Sequence, residues 1–476
     1  MTFHSIDFVV FFVVTVVLYW RLSHRHQNLL LLVASYFFYG YVHPWFLLLI
    51  FATTVIDYWA ARGMAAMPAR RRLFMGWSLA ANLGMLGFFK YFNFFTDNVH
   101  ALLSVLGFDV PRPALSVVLP VGISFYTFQE LSYTIEVYRG TLAARRNFLD
   151  FATFVCFFPQ LVAGPIERAS RLLPQVEGER RFSWAASRDA TVLIVWGYFQ
   201  KLVIADNVGV VANKVFALKD PAFPVLWAGV FAFGIQIYAD FSAYSDIARG
   251  TARWLGFEIM RNFNHPYISR GPAEFWRRWH ISLSSWFRDY VYTPLGGSRG
   301  SAPRRGFNVL ATFVLSGFWH GASWNYVLWG FFHGLLLLGG RALAPLAPRR
   351  KPWTAVMAPL QAGVMFALVN VGWLMFRETD SAYLIRDLTM SPFHATPLER
   401  QTGLYLFLLA AFYSLPLWIH AAWELGADRR AATAPGTTAR VSGRRMAFEA
   451  VACGILFAMI LVFRSRTSLD FIYFQF

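Results

Sequence analysis

Two histidines that each follow a tryptophan are the side chains in this sequence best suited to acid–base chemistry. They are His280, after Trp279, and His320, after Trp319, in an otherwise strongly apolar chain. A histidine changes charge near neutral pH, and packing against aromatic rings favours its neutral form, which accepts a proton. The pattern alone also fits a core histidine that is hydrogen-bonded to a neighbouring helix.

His320 has the stronger local setting. It follows the apolar run Phe307–Phe318 and precedes Gly321 and Ala322, small residues that leave space beside its ring. Ionisable groups at membrane depth are costly and usually line a cavity or a pathway. We therefore expect His320 to carry chemistry, with a histidine at an interfacial helix end as the alternative.

The element that must position His280 is the stretch Phe275–Tyr290, which predicts one amphipathic helix. Its aromatic side holds Phe275, Trp276, Trp279, Leu283, Trp286, Phe287 and Tyr290, and its polar side holds Arg277, Arg278, Ser282, Ser284, Ser285, Arg288 and Asp289. Such a helix suits the cytoplasmic membrane boundary, either as part of a site or as a plain anchor. We expect His280 at that boundary and His320 deeper in the bilayer, as the two ends of a short path.

Two carboxylates precede this stretch. Asp240 and Asp246 lie just beyond the predicted span Leu226–Tyr238, on a background of aromatic and small residues. They could orient a histidine or pair with arginine, and a purely structural ion pair fits equally well. Asn262–Tyr267 predicts a turn before the amphipathic helix.

The composition places the whole chain in a membrane. Of 476 residues, 57% are hydrophobic and only 14% are charged, and the mean hydropathy is +0.44, which indicates a polytopic membrane protein. The net charge of +17 lies mostly in short loops, so membrane topology explains it better than nucleic-acid binding does. Cys156 and Cys453 lie far apart without metal-ligand spacing, and the other histidines, His420 among them, lack polar neighbours in sequence, so we predict neither a metal site nor a disulfide.

Apolar runs recur from end to end and predict an all-α, polytopic integral membrane protein with about 11–13 spans. Phe151–Gly164 is too short to cross and predicts a re-entrant or interfacial segment. Basic loops placed on the cytoplasmic side put both termini in the periplasm. No part is left over for a soluble domain, so residues 1–476 form a single membrane-embedded domain.

Several motifs resemble those of the membrane-bound O-acyltransferase family, in its bacterial polysaccharide-modifying branch. The resemblance rests on Trp279-His280, Phe318–Gly321 and the segments Leu119–Phe125, Phe158–Pro165, Ile204–Asn207, Asp240–Asp246, Asn262–Arg270, Phe275–Gly297 and Phe471–Phe476. One departure is Ala243, where that branch is expected to have glycine. The change is small.

The resemblance implies a helical shell around a transmembrane tunnel, with a catalytic core at about residues 115–340. It makes His320 the family's invariant histidine and His280 a second, cytoplasmic one. It also implies a bacterial inner-membrane enzyme with no permanently bound cofactor. Acetyl-CoA is the expected acyl donor, and the acetyl group passes to a periplasmic SGNH-type acetyltransferase or to a polysaccharide such as alginate.

Supporting roles follow from the chemistry of this transfer. Arg277 and Arg278 could attract the phosphates of coenzyme A, and Asn325 or a tryptophan indole could donate to an oxyanion. The predicted supporting residues are Trp319, Trp279, Trp276, Arg277, Arg278, Asp240, Asp246, Asn264, Ser284, Arg288 and Asn325. The alternatives are transfer of D-alanyl or longer acyl groups, a proton-coupled transporter without enzymatic activity, and a scaffold for polysaccharide secretion.

Overall fold

The regular structure is helical throughout the part of the chain that the computed structural model describes, residues 1–476 except 42, 109, 112–116, 163, 345–350, 434–442 and 473–476. The helices are α1 (Ile6–Tyr19), α2 (His24–Gly40), α3 (Phe46–Ala66), α4 (Arg71–Leu86), α5 (Phe92–Val105), α6 (Ile123–Arg139), α7 (Phe148–Cys156), α8 (Phe158–Leu161), α9 (Ala169–Glu177), α10 (Trp184–Phe199), α11 (Asp206–Phe216), α12 (Phe223–Trp254), α13 (Pro272–Arg278), α14 (Ile281–Phe287), α15 (Ala302–His320), α16 (Trp324–Leu343), α17 (Lys351–Arg377), α18 (Ser381–Thr389), α19 (Pro397–Thr433) and α20 (Gly443–Phe463). Tighter or wider turns occur at Pro68–Arg70 and Pro266–Ile268 (3₁₀) and at Gly87–Tyr91, Gln200–Ala205 and Arg288–Tyr292 (π). The all-α prediction is confirmed.

Six helices of the described chain are long and apolar enough to cross a membrane, judged by length and composition. They are α3, α12, α16 and the segments Val356–Arg377, Pro397–Ala427 and Met446–Phe463 of α17, α19 and α20. A helix satisfies its own backbone hydrogen bonds, which is why apolar segments of this length cross lipid as helices. The predicted 11–13 crossings therefore need shorter or interrupted helices as well, such as α1, or α10 continued by Gln200–Ala205.

The central helix is α12, which contacts α10, α11, α17 and α19. Its most apolar window is 89% buried, whereas that of α20 is only 6% buried, so α12 forms the protein core and α20 lies at its periphery. The sequence predicted that Asp240 and Asp246 follow the end of a span. They lie inside α12 instead, where cations offset their burial: the ammonium of Lys201 stands 2.9 Å from the Asp240 carboxylate, and the guanidinium of Arg249 stands 3.1 Å from that of Asp246.

The antiparallel helices α15 and α16 have their backbones in close contact. A Cβ atom on Gly317 would lie 2.1 Å from the carbonyl oxygen of Tyr326, and one on Gly330 would lie 2.3 Å from that of Phe313. Small residues allow this close approach between membrane helices. The end of α15, which carries His320, is therefore held tightly against the start of α16.

The segment predicted to be re-entrant forms two short helices, α7 and α8, whose residues Phe151–Leu161 are all buried. They pack between α2, α3 and α9 and are too short to cross a bilayer. Some predicted features lie outside the described residues. They are the periplasmic C-terminus at 473–476 and parts of two basic loops, at 345–350 and 434–442.

Candidate active site

His320 is the last residue of α15 and lies in an aromatic enclosure, with 4% of its surface exposed. The ring centroids of Trp329 and Phe376 are 5.1 Å and 5.4 Å from that of the imidazole. Gly321 was expected to leave space beside His320. It instead accommodates the ring of Tyr326, which a Cβ atom at this position would approach to 2.1 Å.

His280 lies at a break in the chain, and the prediction of one helix over Phe275–Tyr290 is wrong. α13 ends at Arg278, α14 starts at Ile281, and His280 between them has the left-handed backbone angles φ 39° and ψ 56°. This conformation costs a residue with a side chain about 1–2 kcal/mol and cannot continue a right-handed helix. Asn262 holds the break in place, since its carbonyl accepts from the Ile281 N–H at 2.9 Å and its side chain accepts from the Ser282 hydroxyl at 2.6 Å.

The break brings the two histidines together. The imidazole centroids of His280 and His320 are 6.4 Å apart, and the indole of Trp319 is 6.3 Å from His280. Phe241 of the central helix α12 meets the His280 ring edge-on at 4.7 Å. The prediction that the two histidines form separate ends of a path is therefore wrong. They are neighbours in one buried site.

A cavity of about 370 Å³, here called the arginine cavity, lies beside α13–α16. Its charged lining residues are Arg277, Arg288 and Arg341, and its other lining residues include Trp276, Ser284 and Ser316. Arg288 pairs with Asp289 at 2.8 Å, whereas Arg277 and Arg341 form no ion pair with a described carboxylate. The arginine cavity is therefore electropositive and partly apolar, and it has room for a substantial part of a nucleotide-linked thioester.

A second cavity of about 100 Å³, here called the lysine cavity, is lined by His320 itself together with Trp319, Lys90, Ser124 and the segment 119–123. No residue lines both cavities. Ser316, one turn before His320 on α15, lines the arginine cavity, so α15 passes from one cavity to the other within a single turn. The arginine cavity extends to Arg341, near the far end of the α15–α16 pair.

The predicted supporting residues separate into groups. Trp276, Arg277, Ser284 and Arg288 line the arginine cavity, and Trp319 lines the lysine cavity. Trp279 is fully buried and packs on Trp373 at 4.8 Å, lining neither cavity.

The other predicted residues make structural contacts. Arg278 pairs with Glu274 at 2.9 Å and donates to the carbonyl of Asn264 at 3.0 Å. Asn325 was predicted as an oxyanion donor, but its amide donates to the carbonyl of Met375 at 3.1 Å and so links α16 to α17.

The two predicted carboxylates also serve other partners. Asp240 joins Lys201, as described above, and Asp246 pairs with Arg249 at 3.1 Å and accepts from Gln200 at 3.2 Å. Neither carboxylate has a described hydrogen bond or ion pair to His280 or His320. The catalytic and binding roles predicted for individual residues stay predictions.

One group of side chains has the composition of a metal site. The ligand atoms of His265, His420 and Glu424 lie within 4.8 Å of one another, so the prediction that His420 lacks polar neighbours is wrong. Arg261 donates to the Glu424 carboxylate at 2.7 Å, and His265 lies 2.7 Å from the same oxygen. Because the guanidinium already occupies that oxygen, we describe the group as an ion-pair network that ties α19 to the loop before α13.

Lys90 is the site residue that the sequence reasoning missed. It lies in the π-turn Gly87–Tyr91, and its ammonium donates to the backbone carbonyls of Trp319 and His320. The available signal was a lone cation inside the aromatic run 88–92, since a charge in an apolar membrane segment usually has a specific function.

The chain matches one protein-family model and several proteins of known sequence. The model of the MBOAT, membrane-bound O-acyltransferase family, matches residues 136–384. The chain is 42% identical to the probable alginate O-acetylase AlgI of Pseudomonas aeruginosa over 76% of this chain and 69% of that protein. It is 37% identical to the AlgI protein of Pseudomonas putida over 96% of both chains. It is 34% identical to the peptidoglycan O-acetyltransferase of Helicobacter pylori over 74% of this chain and 71% of that protein.

The family match covers α7–α17, and with them both histidines, all of the arginine cavity and the tryptophans around His320. The relatives resemble the chain well beyond that segment, and their names describe transfer of an acyl group to oxygen. The transporter and scaffold alternatives are therefore set aside. The chain belongs to the membrane-bound O-acyltransferase family and is a multi-pass membrane O-acyltransferase.

Proposed function

We propose that the protein transfers acetyl from cytoplasmic acetyl-CoA to an acceptor on the periplasmic side of a bacterial inner membrane, for O-acetylation of an exported polysaccharide such as alginate. The observation that carries this proposal is the position of His320, which lines the lysine cavity one turn of α15 away from the arginine cavity. A donor and an acceptor could thus reach the same imidazole from two sides. The names of the relatives support acetyl as the group and alginate as the polymer.

The arginine cavity is the proposed donor site. Guanidinium groups recognise phosphates through charge-assisted hydrogen bonds, and Arg277 and Arg341 have no described carboxylate to neutralise them. Coenzyme A carries several phosphates at one end and the thioester at the other. With its phosphates at these arginines, the thioester would point along α15 towards His320. Basic loops at this end of α15 and α16 support a cytoplasmic location for the donor.

His320 is the proposed general base. It takes the proton of the acceptor hydroxyl as the oxygen attacks the thioester carbonyl carbon. The carbon–sulfur bond then breaks, and the proton passes from the imidazole to the leaving thiolate. The burial of both histidines limits the access of bulk water that would compete with the acceptor. His280, 6.4 Å away, is proposed to assist by orienting the donor or His320.

The acceptor is proposed to approach through the lysine cavity, either as a hydroxyl of the polysaccharide or through a periplasmic SGNH-type acetyltransferase. The resemblance to polysaccharide-modifying relatives supports this arrangement. The proposed tunnel is then the arginine cavity and the lysine cavity, joined at the histidines when donor and acceptor bind.

Inverted membrane vesicles provide the test, since they expose the donor face and retain the native partner and acceptor. Vesicles from the host with its chromosomal copy deleted would carry wild type, His320→Ala or His394→Ala. Label from [¹⁴C]acetyl-CoA should appear in alkali-labile form with wild type and with the variant of the exposed His394. With H320A the rate should fall by about 10²-fold or more.

Two results would overturn the proposal. One is the same incorporation of label with and without the gene. The other is wild-type incorporation by H320A protein that is present in the membrane at the wild-type amount.

A further inference from the structure

The carboxyl end of α15, where His320 lies, needs partners for its carbonyl groups. The last four carbonyls of a helix have no partner within the helix and must be satisfied by other groups. The residue after His320 is Gly321, whose backbone is extended, with φ −162° and ψ 156°. This end of α15 therefore lacks the left-handed glycine turn that often closes a helix.

Side chains from another element supply the missing donors. The hydroxyl of Tyr91 donates to the carbonyl of Phe318 at 2.8 Å. The ammonium of Lys90 donates to the carbonyls of Trp319, at 2.5 Å, and His320, at 3.1 Å. Two adjacent residues thus hold three successive carbonyls of α15.

The π-turn Gly87–Tyr91 makes this double contact possible. It lies between α4 and α5, and such a turn widens the helix by one residue and changes the direction of its side chains. Lys90 and Tyr91 consequently reach the same helix end, although they are adjacent in sequence and would diverge by about 100° on a regular helix.

The positive charge of Lys90 suits this position. A helix carries a partial negative charge at its carboxyl end, so a cation there is stabilised. The ammonium is also 5.5 Å from the centre of the Trp319 ring and donates to the hydroxyl of Ser124 at 3.3 Å. Lys90 forms no ion pair with a described carboxylate, so the helix end, the indole and the hydroxyl are its described partners.

We propose that Lys90 is a positioning residue for the transfer reaction: it fixes the backbone at Trp319 and His320, and with it the direction of the catalytic imidazole towards the lysine cavity. This inference rests on the proposed role of His320. Acyl transfer requires the base within hydrogen-bond reach of the hydroxyl, and a displacement of about 1 Å can lower the rate by about 10²-fold.

The kinetic consequence is specific. Lys90 does not line the arginine cavity, so its loss should leave donor binding intact and slow the step at His320. Tyr91 holds a carbonyl two residues before His320, so its loss should have a smaller effect. A purely structural role for Lys90 would instead reduce the amount of folded protein, leaving the rate per folded molecule unchanged.

The experiment measures the initial rate of alkali-labile incorporation in inverted vesicles over a range of acetyl-CoA concentrations, normalised to the protein present. The variants are Lys90→Met, Lys90→Arg, Tyr91→Phe and His320→Ala, with Lys214→Met, which changes an exposed lysine of α11, as the matched control. We expect K90M to lower the maximal rate by about 10²-fold while the KM for acetyl-CoA stays within about twofold of wild type.

K90R, which keeps the positive charge and the hydrogen-bond donors, should recover at least a tenth of the wild-type rate. The remaining loss of about tenfold is what a small displacement of the imidazole would cause. Y91F should lose less activity than K90M, and K214M should match wild type. Wild-type activity in K90M while H320A is inactive would overturn the role of Lys90 alone. So would a K90M defect confined to KM, or one that K90R fails to relieve. Wild-type activity in H320A would instead overturn the proposed function.

Discussion

A buried charge cluster joins α12 to α11 and to the π-turn Gln200–Ala205 that precedes α11. The ammonium of Lys201 lies 2.9 Å from a carboxylate oxygen of Asp206 and 2.9 Å from one of Asp240, and all three side chains are 1–2% exposed. The cluster also holds the C-terminal segment, because Lys201 donates to the carbonyl of Leu469 at 2.8 Å and Asp240 accepts from the N–H of Ile472 at 2.7 Å.

The cost of breaking this cluster follows from its geometry. At 2.9 Å and an effective dielectric constant of about 20, each ion pair contributes about 6 kcal/mol of attraction. Burying each ion costs several kcal/mol, so the complete cluster is nearly neutral compared with apolar residues. Replacing only the lysine, as in Lys201→Met, leaves two buried carboxylates without their cation and should cost about 3–5 kcal/mol of unfolding free energy.

The triple variant Lys201→Met with Asp206→Asn and Asp240→Asn removes every charge and should recover most of that loss. The measurement is thermal unfolding of detergent-purified protein, followed by tryptophan fluorescence, with K214M as the control for a lysine-to-methionine change at an exposed position. K201M should unfold several degrees below K214M, and the triple variant should lie between them.

Released from the cluster, the C-terminal segment should also be cut faster by trypsin after Arg464 and Arg466, which lie just before it. Unfolding of K201M together with K214M, at the wild-type cleavage rate, would show that Lys201 does not stabilise the buried carboxylates. A triple variant that unfolds at a lower temperature than K201M would show the same.

Three further predictions concern the cavities and the backbone. In inverted vesicles, Arg277→Met and Arg341→Met should each raise the KM for acetyl-CoA about fivefold at an unchanged maximal rate. A loss confined to the maximal rate would contradict the proposed donor site. His280→Gly should have an unfolding free energy about 1 kcal/mol higher than that of His280→Ala, and so a higher melting temperature, because glycine adopts the left-handed conformation without strain. Equal melting temperatures would show that this backbone is relaxed. Gly317→Ala would place a methyl group 2.1 Å from a backbone oxygen of α16 and should sharply reduce the amount of folded protein recovered. The control Gly306→Ala, whose methyl group would lie 4.0 Å from its nearest neighbour, should match wild type. Size-exclusion chromatography measures the folded protein in both cases, and equal recovery of the two variants would contradict the close helix contact.

The sequence pointed to the two histidines of the candidate site but did not predict how they are arranged. Both tryptophan–histidine pairs were identified because aromatic neighbours and an apolar run are local signals. The helical projection of Phe275–Tyr290 assumed a continuous helix and therefore separated His280 from His320. The left-handed backbone at His280 is held by hydrogen bonds that Ile281 and Ser282 donate to Asn262, and contacts between distant segments leave no trace in a periodic pattern.

For charged residues, too, the sequence did not show which distant segments come into contact. Asp240 was identified as an ionisable residue with a role, but its partner Lys201 lies on another helical element, and sequence spacing does not show which charges meet across a helix interface. Lys90 was missed because its partners are the backbone carbonyls of Trp319 and His320 on a distant helix, and backbone carbonyls give no signal in the sequence. All-α architecture and membrane insertion were predicted correctly, since both depend on composition and apolar length rather than on particular contacts.

The narrow separation between the arginine cavity and the lysine cavity has an electrical consequence. If both cavities hold water, most of the membrane potential falls across the few side chains around Trp319. In the proposed reaction a proton leaves an acceptor hydroxyl on one side of this barrier and ends on the thiol of coenzyme A on the other. Each turnover then carries one positive charge inward, and a potential of 100 mV is worth about 2.3 kcal/mol per charge. The interior-negative potential of a bacterium would thereby favour the outward delivery of acetyl groups.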